Sequence, residues 1–319
     1  MNPQYRRRRL TAGAGIAIAL GVAAAVVSGN NSNIGLTPRP PTVAGPVQTT
    51  PEVDPRPPLV GDLVMTTMRG TTASPNLLRR ARLGRIAGVL LMGTNITSPD
   101  QVRRLTASLQ SAAYAGGNPP LIIAVDQEGG ATRRLTTFPP RQSARQLGAL
   151  TPQEIRSEGR ATGRALRSVG INVDLAPVAD VSSGPRSVVN ARSFGGGAKR
   201  ASVGACAFAE GLVDVGVAAT LKHFPGLGGS TRNTDEAAVS IPFGVERLKR
   251  DLVAYRRCGG LPHSLTMVSN AKYPKLSGTT PAVLSSSVYG LAREMGVTGP
   301  IITDSLNALF TNDIAPVRL

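Results

Sequence analysis

Seven short apolar runs, each separated from the next by a segment of helical period, limit the folds open to this chain more than any other feature. The runs are "LVGDLVMTTM" (59–68), "IAGVLLMG" (86–93), "PLIIAVDQEGG" (120–130), "INVDLAPVADV" (171–181), "VAATLKHFPG" (217–226), "SLTMVSNAKYP" (264–274) and "GPIITDSL" (299–306). Most are near-continuous in apolar residues rather than alternating, as expected of strands covered on both faces. Residues 76–85, 99–114, 152–169, 198–215, 245–258 and 284–295 carry the helical period. Thr151 in "TPQE" is placed to cap the third of these, with Glu154 three positions on. Strand and helix in such alternation mean parallel βα units.

A doubly wound open sheet and a TIM-type (β/α)8 barrel both satisfy that alternation. The polar residues choose between them, because nearly every apolar run ends in them: Asp126 and Glu128, Asp180, Lys222 and His223, Asn270, Asp304. A barrel gathers all of its strand C-termini at one mouth, whereas an open sheet uses only those at its switch point. No G-x-G-x-x-G follows the first run, so a dinucleotide fold is disfavoured as well. The expectation is a barrel.

What precedes the first run is of another kind. Residues 1–29 hold an Arg cluster at 6–9 and an uncharged apolar stretch at 10–27, which reads as an export signal or an N-terminal anchor. Residues 30–58 contain eight prolines and no hydrophobic period, the composition of a linker that buries no core. The barrel domain is assigned to 59–319, and the location to the cell envelope or beyond. There Cys206 and Cys258 could form a disulfide or remain two buried thiols.

The net charge of +17 suggests an anionic neighbour, and cell-wall phosphate fits that description. The arginines are scattered and aromatics make up only 3%, which argues against nucleic acid as a partner. A membrane partner is expected only through the N-terminal segment. The chain has two histidines, His223 and His263, and no Cys or His pair at ligand spacing, so neither a metal nor another cofactor is expected. His263 reads as a loop residue. No G-x-S-x-G is present, and the Ser beside Asp304 has no base nearby in sequence. Carboxylate chemistry on a polyhydroxylated substrate remains.

Five stretches, "VDQEGGATRRL", "NVDLAPVADV", "NARSFG", "KHFPG…NTD" and "IITDSL", in this order and at these separations, resemble the family 3 glycoside hydrolases in their β-N-acetylglucosaminidase branch. The resemblance implies a barrel and a retaining double displacement on a glycan containing N-acetylglucosamine. It makes Asp304 the nucleophile and assigns Asp126, Arg134, Arg192, Lys222 and His223 to the terminal sugar. In that branch a loop after the fifth strand carries an Asp-Ser-His triplet whose His is the acid and base. Here the matching positions are Asn233, Thr234 and Asp235, so Asp235 takes that role and Glu236 is its rival. Leu227 and Ala131 replace a further His and Arg of the family pattern. The eighth βα unit that the family has is not visible in the 15 residues after Asp304, so a barrel short of its last unit is expected. A glycan-binding remnant without turnover and a β-glucosidase of the same family are the other readings the motifs allow.

Overall fold

The computed structural model describes residues 60–308. The N-terminal signal or anchor and the Pro-rich linker lie outside the described residues.

Nine strands and eight α-helices make up the described chain. β1 (Met65–Thr67), β2 (Gly88–Leu91), β3 (Ile122–Val125), β6 (Val173–Asp174), β7 (Ala218–Phe224), β8 (Ser264–Val268) and β9 (Ile301–Thr303) form one sheet in that order, every pairing parallel. β4 (Gln127–Gly129) and β5 (Thr132–Arg133) form a separate antiparallel hairpin. Each strand of the large sheet adds beside its predecessor with no reversal, so the order lacks the switch point of a doubly wound sheet.

The two faces of the sheet are covered differently. Outward residues such as Val89, Leu91, Ile123, Val125, Ala219 and Leu221 join the main core with the helices. The residues between them, including Met65, Leu90, Ile122, Ala124, Val173, Ala218, Leu265, Met267 and Ile302, form a second buried cluster that contains no helical residue. An apolar face without helices stays dry only if the strands curl and cover one another, which is the interior of a barrel.

Local sequence explains the helices. α1 (Pro75–Arg82) and α2 (Pro99–Ala115) each begin with Pro at the first position after a Ser whose hydroxyl accepts an early backbone N–H. In α4 (Pro152–Arg167), Thr151 and Glu154 form the expected reciprocal cap. The short α3 (Ala144–Leu147) precedes it. α4 packs closely on α5 (Gly197–Val213), where a Cβ on Gly211 would come within 2.2 Å of the Arg156 carbonyl oxygen.

Three spans differ from the periodic reading. The run at 120–130 divides into β3 and the hairpin because Gly129 and Gly130 have φ of 96° and 54° and turn the chain back. The run at 171–181 supplies only two sheet residues before Pro177, which has no N–H for a ladder. The helix expected at 245–258 is two, α6 (Val245–Asp251) and α7 (Val253–Cys258), joined at the buried Leu252. α8 (Ser286–Glu294) leads into β9. Cys206 of α5 and Cys258 of α7 are joined as a disulfide, with Cα atoms 5.7 Å apart. No helix among the described residues is long and apolar enough to cross a membrane.

Candidate active site

The strand ends deliver their polar residues to one place. Lys222 follows the inward positions Ala218 and Thr220 along β7, and its ammonium donates to Asp126 Oδ1 at 2.8 Å and lies 2.7 Å from Glu128 Oε1. Neighbouring strand residues ordinarily point to opposite faces. A shift of register between Lys222 and Phe224 breaks that rule and leaves His223 as the extra residue of a bulge. His223 therefore turns to the same group as Lys222, and its Nε2 lies 3.4 Å from Arg192 Nη2.

Asp126 stands between two cations, with Arg134 Nη2 3.2 Å from its Oδ2. Arg192, reaching in from the connection between β6 and α5, forms a two-pronged pair with Glu128, Nε to Oε2 and Nη2 to Oε1, both at 2.7 Å. Burial alone raises the proton affinity of both carboxyls, and their cationic neighbours outweigh it. Lys222 and Arg134 hold Asp126 well below the usual carboxylate range, and Arg192 with Lys222 bring Glu128 down to about 2. Burial disfavours the Lys222 ammonium, but Asp126 and Glu128 raise its pKa above the ordinary value. Three cations and two anions are thus locked together.

Asp180 organises the floor. Its Oδ2 accepts the His223 Nδ1–H at 2.7 Å, and its Oδ1 accepts the backbone N–H groups of His223 at 3.2 Å and Leu227 at 2.8 Å. This contact fixes the ring plane and turns Nε2 toward Arg192. The loop that starts at Gly226 is thereby tied to the barrel. Gly228 lies so close to Val181 that a Cβ would meet its carbonyl oxygen at 1.7 Å. Leu227, the departure from the family pattern, is buried in the main core and serves the site through its backbone. Ala131, the other departure, is exposed.

Further along the loop, Asp235 is exposed, and its N–H donates to Asn233 Oδ1 at 3.2 Å. Its carboxyl is pushed up to about 6, first by the surrounding protein and then by the negative charges of Asp304 and Asp126. Solvent at its side screens part of this effect, so a ligand that displaced the solvent would strengthen it. Asp304 follows β9, with its backbone N–H on the Val268 carbonyl at 2.8 Å. Its Oδ1 accepts the Ser305 N–H at 2.8 Å. Asn270 at the end of β8 is wholly buried and braces this turn by donating to the Ser305 carbonyl at 2.7 Å.

Asp126 joins Arg134 and Lys222, Glu128 links Lys222 to Arg192, and His223 lies beside Arg192, so the five come together as one group, with Asp235 and Asp304 within electrostatic range. Glu128 and Asp180 were visible as strand-end carboxylates, but nothing in the sequence assigned them to the site. Their partners lie 64 and 43 positions away, distances at which sequence spacing carries no signal. Asp174 was not singled out either. It is fully buried on β6 with Oδ1 on the Gln127 N–H at 3.0 Å, and burial pushes its carboxyl up to about 8. His263 is exposed in the turn before β8, away from this group. No cluster of three potential metal ligands occurs among the described residues.

A parallel sheet curled round its own apolar face, with ionised carboxylates and cations at its strand C-termini, defines a barrel domain whose mouth suits a neutral, hydroxyl-rich ligand. The chain belongs to glycosyl hydrolase family 3: the model of that family's N-terminal domain matches residues 59–315. It is 36% identical over 206 residues to the beta-hexosaminidase LpqI of Mycobacterium tuberculosis, an alignment covering 61% of this chain and 53% of LpqI. A secreted glycosyl hydrolase of Arthroderma benhamiae is 35% identical over 256 residues, covering 77% of this chain and 72% of that protein. In structure, the family 3 β-N-acetylglucosaminidase from a Paenibacillus species superposes with a TM-score of 0.75 at 32% identity, over 81% of this chain and 50% of that one. The chain spans about half the length of LpqI and of the Paenibacillus enzyme.

Proposed function

We propose that this chain is an exported glycoside hydrolase that removes terminal β-linked N-acetylglucosamine from cell-wall-derived glycans by double displacement. Asp304 attacks the anomeric carbon through Oδ2, since Oδ1 is engaged by the Ser305 N–H. As that bond forms, the glycosidic C–O bond breaks, and the proton of Asp235 passes to the departing oxygen. Asp235, now a carboxylate, takes a proton from water. The water oxygen attacks the anomeric carbon, and the ester bond to Asp304 breaks. Asp126, Arg134, Arg192, Lys222 and His223 hold the hydroxyls of the terminal sugar.

The observation that carries this reading is the placing of Asp304, at the end of β9, and of Asp235, on the loop after β7, at the mouth that also holds Asp126, Lys222 and His223; the rise in the Asp235 pKa fits a general acid that must hold its proton there. The name of the Paenibacillus enzyme supports the N-acetylated sugar, and that of the Arthroderma relative supports secretion. The charge of +17 supports an anionic envelope as the setting. Water is favoured over phosphate as acceptor, since an ionised Asp235 repels an anion.

The test is hydrolysis of an aryl β-N-acetylglucosaminide by the purified chain and by Asp304→Ala, with an aryl β-glucoside as competitor. Loss of turnover on the order of 10⁴-fold in the variant supports the assignment. Equal rates, or binding of the sugar by the wild-type chain without turnover, refute it.

A further inference from the structure

Glu128 has no place in the reaction just described, yet it makes more charge-assisted contacts than any other side chain of the group. Its side chain is 3% exposed, its Oε1 lies 2.7 Å from both Lys222 Nζ and Arg192 Nη2, and its Oε2 accepts Arg192 Nε at 2.7 Å. With three cationic contacts on its two oxygens, it has little left to offer a sugar hydroxyl. Its effect falls on its partners. Lys222 has three N–H bonds; Asp126 accepts one and Glu128 lies against the ammonium as an ion pair at 2.7 Å, so at least one is left to donate. Arg192 has five, of which Glu128 takes two through a fork that fixes the guanidinium plane, and one from Nη2 lies near His223. The Nη1 pair remains.

We propose that Glu128 is a positioning residue that orients the remaining N–H of Lys222 and the Nη1 edge of Arg192 toward the substrate while holding the two cations side by side. This rests on the sugar-hydrolase reading only for what those donors face. A merely structural role is the competing account, since Glu128 also belongs to the hairpin strand β4. The charged or titratable groups around Lys222 are Asp126 and Glu128 from the β3–β4 segment, Asp174 from β6 and Arg192 from the following connection. Removing the Glu128 charge leaves Lys222 with Asp126 as its remaining bonded carboxylate and with Arg192 still beside it.

The experiment compares the full chain with Glu128→Gln, Arg192→Lys and the double variant. Arg192→Lys keeps the charge but loses the fork. Each single variant is expected to raise KM for the aryl β-N-acetylglucosaminide by roughly 10–100-fold with a smaller change in kcat, and the double variant should be no worse than the poorer single. In Glu128→Gln the side-chain NMR titration of Lys222, one of five lysines, should move to lower pH. Independent losses that multiply, an unchanged KM in Arg192→Lys, or an unmoved Lys222 titration in a folded Glu128→Gln would each overturn the proposal. If the wild-type chain turns nothing over, the hydrolase reading fails by itself. The Lys222 titration and the binding of N-acetylglucosamine to the same variants then decide the role of Glu128.

Discussion

On the side of the mouth built by β3, β4, β6 and β7, five charged side chains are closed against one another, and both oxygens of Asp126 and of Glu128 are already in contact with cations. On the side built by the loop after β7 and the end of β9, Asp235 is partly open to solvent, and among the described residues the Asp304 carboxylate accepts one backbone N–H, from Ser305. The first arrangement fixes orientation, because moving one member leaves a buried charge unpaired, at about 3–5 kcal/mol. The second leaves oxygens uncommitted. A group that must give up and regain a proton, or form and break a bond, cannot be saturated beforehand. On the proposed mechanism, holding and reacting thus fall to separate groups of residues at one mouth.

The sharpest way to break this contrast is Asp304→Ala, expected to remove turnover while leaving binding of N-acetylglucosamine within a few-fold, because the holding side is untouched. Sugar binding lost together with turnover would show that the two sides are not separable. The next effect belongs to Asp235→Asn, which should slow hydrolysis by roughly 10²–10⁴-fold for a poor leaving group and far less for a dinitrophenyl one that departs unprotonated. The acid works only while protonated, so wild-type kcat/KM should fall as pH rises through about 6. With the sugar bound and solvent displaced, the corresponding limb of kcat should lie higher. Neither limb should survive in Asp235→Asn.

A third test leaves the mouth alone. The Cys206–Cys258 bond closes a loop of 52 residues between α5 and α7 on the outer layer, and constraining the unfolded chain in this way contributes about 2–4 kcal/mol. The double Ser variant should melt roughly 5–15 °C lower with KM unchanged. A changed KM would couple the helical layer to the site.

The seven strands could be located in the sequence because both faces of a barrel sheet are apolar, so each strand stands out as a run. Asp304 also stood out, since it ends such a run, whereas Asp235 was found only through the resemblance of "NTD" to the family's triplet. The holding side was legible only in part. Asp126, Lys222 and His223 sit at strand ends, but Glu128 and Asp180 acquire their meaning from partners brought close by the curl of the sheet. Two breaks in the runs followed from a few residues, Pro177 within one and the glycine pair at 129–130 within another. The bulge at His223 had no sequence signature at all.

Asp174 provides the finest test of how tightly the holding side is balanced. It is fully buried, its Oδ2 has no hydrogen-bond partner among the described residues, and burial, opposed by the Gln127 N–H and by Lys222, raises its pKa from the ordinary 3.8 to about 8. In the folded chain it therefore keeps its proton across a range in which the unfolded chain has lost it. A raised carboxyl contributes its full stability below the unfolded pKa and loses that contribution as pH rises toward the folded value, so the cost of keeping Asp174 neutral grows between about pH 4 and pH 8. Asparagine has the same shape, does not titrate, and leaves the same position without a partner. Asp174→Asn should match the wild type in urea unfolding at pH 4 and exceed it by several kcal/mol, about 5 for the full shift, at pH 8. If the two curves stay parallel across this range, Asp174 is ionised in the folded chain, and its negative charge cancels the single excess positive charge of the five-residue group.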